Sequence, residues 1–539
     1  MSQTVTVPGV SGTIALTFTG TANIGLAQQI ANSLAAAWHT TLDVVDYTGG
    51  PVPAVTPPDT SEELVLNASV SGVVNVPAAA PGVSEYLVLP QNDPNSLTIN
   101  GNPNLQIIGG ANENLTINDP LVVNLGGGSP TDHDLVTALA SDSPYLITMR
   151  EGAESVVASG SGTIFGGSLT DLINLSGANT GTNNLVVSQG SDTVDAGAGN
   201  VTVNNLVGSN HNLDQGFFGA LTVDDLGTND TISSGFGSLV VTAGGTGASI
   251  SGLGAITVDA AGGSGDTVSY GPGGGTFLSS TASSNDLVFT NFANNMSLDA
   301  SNTTGDTIIG DVGAITVNAG NAASLLVYSG PSIGDPGMDF IGGSGFSTVV
   351  GQTGADSVTG GSGQLDFISN ANESVTGTGA LGGSTLFGAT GSYLDFAGTS
   401  GAMLLMGNAG NETLNAAGGT GFDQFYAGAV GADSTAGESL IGGNGANSFV
   451  AGTGADTFLG GSGTNVYSFV GSILGGSSQH DVIQNFLGGS NDLAFMGGTG
   501  TDTVGVTGGT NVTFTLSDGT TIEFVGLTQA QLTGHVFAT

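Results

Sequence analysis

The chain has 539 residues with one basic side chain, Arg150, against 43 acidic ones, a formal net charge of −42, so no Lys/Arg patch exists to grip nucleic acid or anionic lipid. Glycine is abundant at 95 residues, but Pro is only 16 and there is no triplet period, which excludes collagen, while 39% apolar content excludes a disordered linker. Cys is absent, which rules out disulfides and Cys-based zinc sites, and no run approaches the ~18 to 20 apolar residues that a membrane-inserted helix needs.

Residues 1–50 read as a small N-terminal module. Thr4 to Val7 and Thr13 to Thr19 alternate like half-buried strands. Asn23 then offers a cap to a helix whose apolar residues fall at helical spacing: Ile24 or Leu26, Ile30, Leu34 and Trp38. Such a module suits the capping of an open sheet end or a contact used in assembly. A Pro-rich stretch at 51–60 follows and reads as a linker, because proline cannot donate to a strand ladder.

From Glu62 short strands recur every nine to twelve residues, among them Leu64 to Leu66, Val73 to Val76, Leu97 to Asn100 and Leu115 to Asn118, separated by Asn, Gly, Pro and Asp. Residues from Asp132 to Arg150 break this rhythm and read as an inserted loop or short helix. Beyond them two kinds of segment alternate. One is an apolar strand, as in Leu185 to Val187, Val201 to Val203, Leu221 to Val223, Leu239 to Val241 and Ile256 to Val258. The other is a quartet such as Asn229-Asp230-Thr231-Ile232, Gly265-Asp266-Thr267-Val268 or Gly305-Asp306-Thr307-Ile308. Two such segments make a coil of about eighteen residues, so residues 61–475 are expected to form an all-β, parallel β-solenoid with Val, Ile and Leu stacking inside and Gly and Asn at the corners.

Within this region three places carry a strict nine-residue period. Gly342 to Ile368 reads GGSGFSTVV, GQTGADSVT, GGSGQLDFI; Gly418 to Tyr426 reads GGTGFDQFY; Gly442 to Ser468 reads GGNGANSFV, AGTGADTFL, GGSGTNVYS. Residues 476–539 form a C-terminal cap: Asp481-Val482-Ile483-Gln484-Asn485-Phe486, then a hairpin of two alternating strands around Ser517-Asp518-Gly519, with a helical turn expected at Thr528 to Leu532.

The nines resemble the calcium-binding nonapeptides of RTX (repeats-in-toxin) proteins, consensus GGxGxDxUx with U a large apolar residue. The DVIQNF segment and the final hairpin resemble the carboxyl flank of RTX proteins exported by type I secretion. The resemblance implies a β-roll, an uncleaved C-terminal export signal, and a secreted, extracellular location at a bacterial surface or matrix. The amino terminus has neither a basic start nor a continuous apolar stretch, in keeping with that route. It also implies calcium held between stacked turns by the sixth-position carboxylates Asp356, Asp423 and Asp456, with carbonyls of Gly342, Gly354, Gly360, Gly452, Gly454 and Gly460 beside them. The other sixth places hold Ser347, Leu365, Asn447 and Asn465, and Asp366 stands one place late. Since calcium takes six to eight oxygens, fewer ions than turns are expected.

Catalytic signatures are sparse. The five His are scattered and none lies in H-E-x-x-H. Gly330-Pro331-Ser332-Ile333-Gly334 matches G-x-S-x-G, but Asp335-Pro336-Gly337 follows where a nucleophile elbow needs a helix. His133 between Asp132 and Asp134 reads as a solvated loop. The expected function is therefore structural, not enzymatic: a calcium-stabilised secreted protein that assembles with copies of itself into a surface layer, filament or biofilm matrix. The alternatives are an adhesin that binds a cell-surface polysaccharide and, third, a polysaccharide-modifying enzyme of the parallel β-helix kind.

Overall fold

The computed structural model describes residues 2–9, 12–19 and 42–47 and most of residues 61–539; segments such as 77–83, 126–130, 331–336, 429–435 and 471–478 lie outside the description, as do the expected helix at 23–38 and the linker at 51–60. The chain is nearly all-β, a parallel β-solenoid with about 19 residues per turn. It divides into two compact units, Met1–Val258 with Gly263–Thr267, and Asp259–Gly262 with Val268–Thr539.

In the first unit, each coil gives one strand to each of two parallel sheets. One sheet runs from Leu42–Tyr47, paired in parallel with Ser61–Leu66, through Asn183–Ser188, Asn200–Asn205 and Ala220–Asp225 to Ser238–Ala243. The solenoid thus already takes in Leu42–Tyr47, from within the expected N-terminal module. Ahead of it, Ser2–Gly9 and Gly12–Thr19 form an antiparallel hairpin. The other sheet collects the quartets: Thr193–Asp195 pairs with Asn212–Gln215, then Thr231–Ser234, then Ser249–Gly252. Strict alternation sets the faces, so Leu221, Val223, Leu239 and Val241 are buried while Thr222 and Val240 point out.

One expectation fails in this unit. The stretch around Asp132 to Arg150 is not an insertion. Leu135–Leu139 pairs with Asn114–Asn118 and with Ser155–Ala158, and Tyr145–Thr148 pairs with Gly162–Phe165. Val136, Ala138, Tyr145 and Ile147 are the inward residues. Two apolar pairs at period two suffice for a strand, and Asp134 supplies a corner residue. That register was hidden by a large Tyr taking an inward place where aliphatic residues were expected.

The second unit repeats the design with a wider core. Phe425, Phe449 and Tyr467 occupy one register column, and their rings stack at centroid distances of 4.7 and 4.9 Å with interplanar angles of 16° and 9°. Phe458 meets Phe449, Tyr467 and Phe469 edge-on from the other sheet. The column is parallel stacking imposed by the coil rise, with the T-shaped contacts closing the gap between sheets. Phe449→Ala is expected to cost about 3–5 kcal/mol. Urea unfolding followed by circular dichroism measures it, and a loss below about 1 kcal/mol would remove this stack from the core.

The outer face of the same sheet has its own column. Phe289, Ile309, Tyr328, Val350, Ile368, Phe387, Met406, Tyr426 and Val450 follow one another in register, each on the coil after the last. The opposite sheet of the unit carries polar pairs outside, such as Asn318 Nδ2 donating to Asp299 Oδ1 at 3.2 Å and Asn415 Nδ2 to Asp395 Oδ1 at 2.8 Å.

The C-terminal end matches expectation. Val512–Thr515 and Thr521–Phe524 form the antiparallel hairpin, with Gly519 at φ 92° in its turn. Thr521–Phe524 also pairs in parallel with His480–Gln484, so the hairpin ends that ladder with an antiparallel strand. The helical turn is Gln529–Leu532.

Candidate functional site: the corner carboxylates

The corner that opens each quartet has a fixed construction. A residue in left-handed backbone comes first: Asn210, Asn229, Gly247 and Gly265 in the first unit, and Asn285, Gly305, Asn372, Gly391 and Asn411 in the second. Asn and Gly are the residues that adopt this conformation at low cost. The next residue turns its side chain into the corner and is buried: His211, Asp230, Ala248 and Asp266, then Asp286, Asp306, Glu373, Ser392 and Glu412. One residue then points out, and an apolar one enters the core.

The buried acids hydrogen-bond along the stack. Among the described residues, nine of the aspartates accept the backbone N–H of the matching residue one coil earlier. In the first unit Glu113 N donates to Asp134 Oδ1 at 2.6 Å, Glu154 N to Asp171 Oδ1 at 3.1 Å, Asp171 N to Asp192 Oδ1 at 2.9 Å, His211 N to Asp230 Oδ1 at 2.7 Å and Ala248 N to Asp266 Oδ1 at 2.8 Å. In the second unit Asp286 N donates to Asp306 Oδ1 at 3.0 Å, Met338 N to Asp356 Oδ1 at 2.8 Å, Glu438 N to Asp456 Oδ1 at 3.0 Å and Asp456 N to Asp481 Oδ1 at 3.0 Å. The corner residue falls between ladder strands, and its N–H would be orphaned without this acceptor.

Burial beside other carboxylates raises the proton affinity of several acids in and near these corners. Glu438 is pushed up to about 8 by burial, then by the charges of Asp456 and Glu412. Glu154 is pushed to about 9 by burial, helped by its hydrogen bond to Asp171 and the charges of Asp171 and Asp134. Glu373 reaches about 10 through burial and its hydrogen bond to Asp356. Burial raises Asp306 and Asp423 to about 6. At the other end of a strand, Asp225 rises to about 7 through burial and its bond to Asp230. Asp230 goes the other way: burial opposes its charge, but His211, with Nδ1 at 3.0 Å, and further hydrogen bonds hold it below the usual range.

The three carboxylates implied as calcium ligands all sit in these corners, at 4%, 0% and 1% exposure for Asp356, Asp423 and Asp456. They are not equivalent. Asp456 spends both oxygens on backbone donors, since Oδ2 also accepts Gly452 N at 3.1 Å. Each oxygen thus already accepts one backbone N–H, which leaves less of the carboxylate for a cation. Asp356 accepts Met338 N on one oxygen and shares a hydrogen bond with Glu373. Of the glycine carbonyls, Gly460 O is taken by Asn485 Nδ2 at 2.8 Å, and Gly354 lies outside the described residues. Gly342 and Gly452 sit in tight stacked turns, Gly360 ends the strand Ala355–Gly360, and Gly454 has φ 139°.

Asn447 and Asn465 show how the chain manages without a cation. Asn447 Nδ2 donates to Gly443 O at 3.0 Å, Gly445 O at 3.1 Å and Asn465 Oδ1 at 2.7 Å. Asn465 Nδ2 repeats this with Gly461 O, Gly463 O and Asp492 Oδ1 at 3.1, 3.1 and 3.0 Å. The side-chain amide supplies the positive dipole that the turn carbonyls require.

Asp423 is paired in register with Asn447 but is a carboxylate. Its one donor among the described residues is the Met403 N–H, which only partly offsets the burial that raises its proton affinity. A methyl placed on Gly443 would lie 2.7 Å from Gly419 O, 2.9 Å from Ala416 O and 3.0 Å from Asp423 Oδ2. Both carbonyls already accept backbone N–H groups, Ala416 O from Gly419 N at 3.0 Å and Gly419 O from Asn444 N at 2.5 Å and Gly445 N at 3.1 Å. Of the three carboxylates, Asp423 has the fewest donors among the described residues and is the one left for a cation reading. Among the described residues no group of three or more His, Asp or Glu converges as a metal centre.

Sequence reading by the nonapeptide consensus found Asp356, Asp423 and Asp456 but missed Glu373, Glu412 and Glu438, which share the corner column of Asp456 without a GGxGxD turn. The signal that finds them is the quartet itself: Asn or Gly, an acid, any residue, then Val, Leu or Ile, as in Asn372-Glu373-Ser374-Val375, Asn411-Glu412-Thr413-Leu414 and Gly437-Glu438-Ser439-Leu440. No helix among the described residues is long and apolar enough to cross a membrane. Compared with known proteins, the chain matches no family model, no curated protein and no solved structure.

Proposed function

We propose that the chain is a secreted structural protein of RTX-like design that assembles with copies of itself into an extracellular layer, filament or matrix. The observation that carries this reading is how its acidic residues are used. Carboxylates that could perform acid–base work, such as Asp134, Asp171, Asp306 and Asp456, are instead buried in the corners as acceptors for the backbone of the preceding coil. A chain that commits its acids to holding stacked coils together is built for stiffness. Calcium has a supporting role in this reading, held at the Asp423 carboxylate, where it would cancel a buried charge between coils.

Electron microscopy of the purified protein in calcium and in EDTA tests the proposal. Ordered sheets or fibres are expected in calcium, with looser assemblies in EDTA. Monomers under both conditions that bind a glycan array would replace it with adhesion. Assemblies and circular dichroism that ignore EDTA would remove calcium from it.

A further inference from the structure

On the second unit, the outward column from Phe289 to Val450 has no role in the corner chemistry. Nine consecutive coils place an uncharged, mostly large apolar side chain at one position. Ile368, Phe387 and Tyr426 are 39%, 37% and 40% exposed. Phe346 and Phe422, on the same face, are 40% and 47% exposed. A coil needs apolar residues only on its inward positions, and the opposite sheet mixes this place, setting Asp–Asn pairs and Thr359 among Ile341, Ile441 and Leu459. The stability of the solenoid does not explain the column.

Resting on the self-assembly reading above, we propose that this ridge is the lateral contact between copies, with a second copy of the same sheet face as its occupant. Two arguments select that partner. The first is charge: with a net charge of −42 and one basic residue, two copies repel except where carboxylates are missing. The ridge is such a strip, and along the neighbouring outward column from Leu287 to Ser448 only Asp366 is charged. The second is periodicity. Rows on this face repeat at the coil rise of about 4.8 Å, and another copy presents rows and grooves at the same spacing, so side chains interleave over the full length.

The size of the strip sets the kind of contact. Nine rows span about 40 Å and, at roughly 10 Å wide, bury roughly 400 Å² per copy. The total of roughly 800 Å² is below the ~1,200 Å² of a stable specific pair. A single contact is therefore weak, and stable association comes from repeating it through an array. This matches a protein that must remain dispersed while dilute and assemble once concentrated.

The test replaces Ile368, Phe387 and Tyr426 together by Asn, a residue the solenoid already stacks outside as Asn75, Asn100 and Asn118. The control replaces Thr413 and Thr457, outward on the other sheet, by Asn. Sedimentation velocity over a concentration series, with circular dichroism for the fold, is the readout. At least a tenfold weaker association is expected for the triple variant, with an unchanged spectrum and a control that behaves as wild type. Because the chain lacks Cys, Ile368→Cys at the middle of the ridge gives a direct second measurement: oxidation is expected to yield disulfide-linked dimers, and Thr413→Cys is expected not to. A triple variant that assembles like wild type, without cross-linking at 368, overturns the ridge contact and leaves self-assembly standing. Wild type that stays monomeric overturns both. Monomers whose ridge instead binds a polysaccharide or a neutral lipid vesicle overturn the choice of a second copy as occupant.

Discussion

Acid is expected to stabilise this protein. Carboxyls whose proton affinity is raised in the fold carry no penalty while protonated, and they lose that advantage as the pH climbs through their folded values. Those values are about 6 for Asp306 and Asp423, 7 for Asp225, 8 for Glu438, 9 for Glu154 and 10 for Glu373, all above the ordinary carboxylate range. Stability should therefore rise steadily as the pH falls from about 9 toward 5. Asp230 has the opposite sign. Its depressed value means that its contribution with His211 is present above the ordinary carboxylate range and is lost on further acidification. The optimum should lie near pH 4 to 5. A tenfold change in proton affinity at one group is worth about 1.4 kcal/mol, and about 1 kcal/mol moves Tm by about 2–4 °C in a unit of this size. An increase of about 10 °C or more is expected between pH 9 and pH 5.

Surface repulsion also falls as the net charge of −42 is titrated, so the measurement belongs in high salt. Salt screens exposed charges but leaves buried ones little affected. Calorimetry in EDTA and about 0.5 M salt, where the Debye length is only a few ångströms, isolates the corner ladders. A flat Tm there between pH 9 and 5 would show that the buried acids hold no extra protons. Added calcium at pH 7 should recover part of the acid stabilisation, because a cation and a proton satisfy the same carboxylate at Asp423.

The second large effect concerns Asp456, which accepts Glu438 N and Gly452 N and donates its own N–H to Asp481. Asp456→Ala leaves two buried donors without acceptors and is expected to cost about 2–5 kcal/mol. Asp456→Asn keeps one acceptor oxygen, enough for Glu438 N or Gly452 N, and turns an amide NH2 toward the other donor. It also relieves the charge that helps raise Glu438. The Asn variant loses one acceptor where Ala loses two, so it is expected to cost about 1–3 kcal/mol at pH 7, less than Ala, with a shallower pH response. Urea unfolding with and without calcium decides the matter. Asn costing as much as Ala, together with loss of any calcium stabilisation, would make Asp456 a cation ligand after all.

What the sequence determined by itself is the parallel solenoid, with its two segments per coil and its closing hairpin. These follow from short-range rules: alternation fixes which residues face in, and Gly or Asn fixes where the backbone turns. The inward places of Leu221, Val223, Leu239 and Val241 needed no tertiary information. The strands at Leu135–Leu139 and Tyr145–Thr148 escaped because Tyr145 takes an inward place where aliphatic residues were expected.

Two features were decided only by stacking. A carboxylate in a quartet reads the same in sequence whether it is a metal ligand, an acceptor or a shared proton site. Its neighbours about 19 residues away on either side choose among these: Asp456 finds two N–H donors, while Asp423 finds one, from Met403, and is otherwise buried. The outer ridge is likewise invisible along the chain, since one apolar outward residue per coil is ordinary until register brings nine of them into line. Local sequence sets each coil, and contacts about 19 residues apart set what the coils make together.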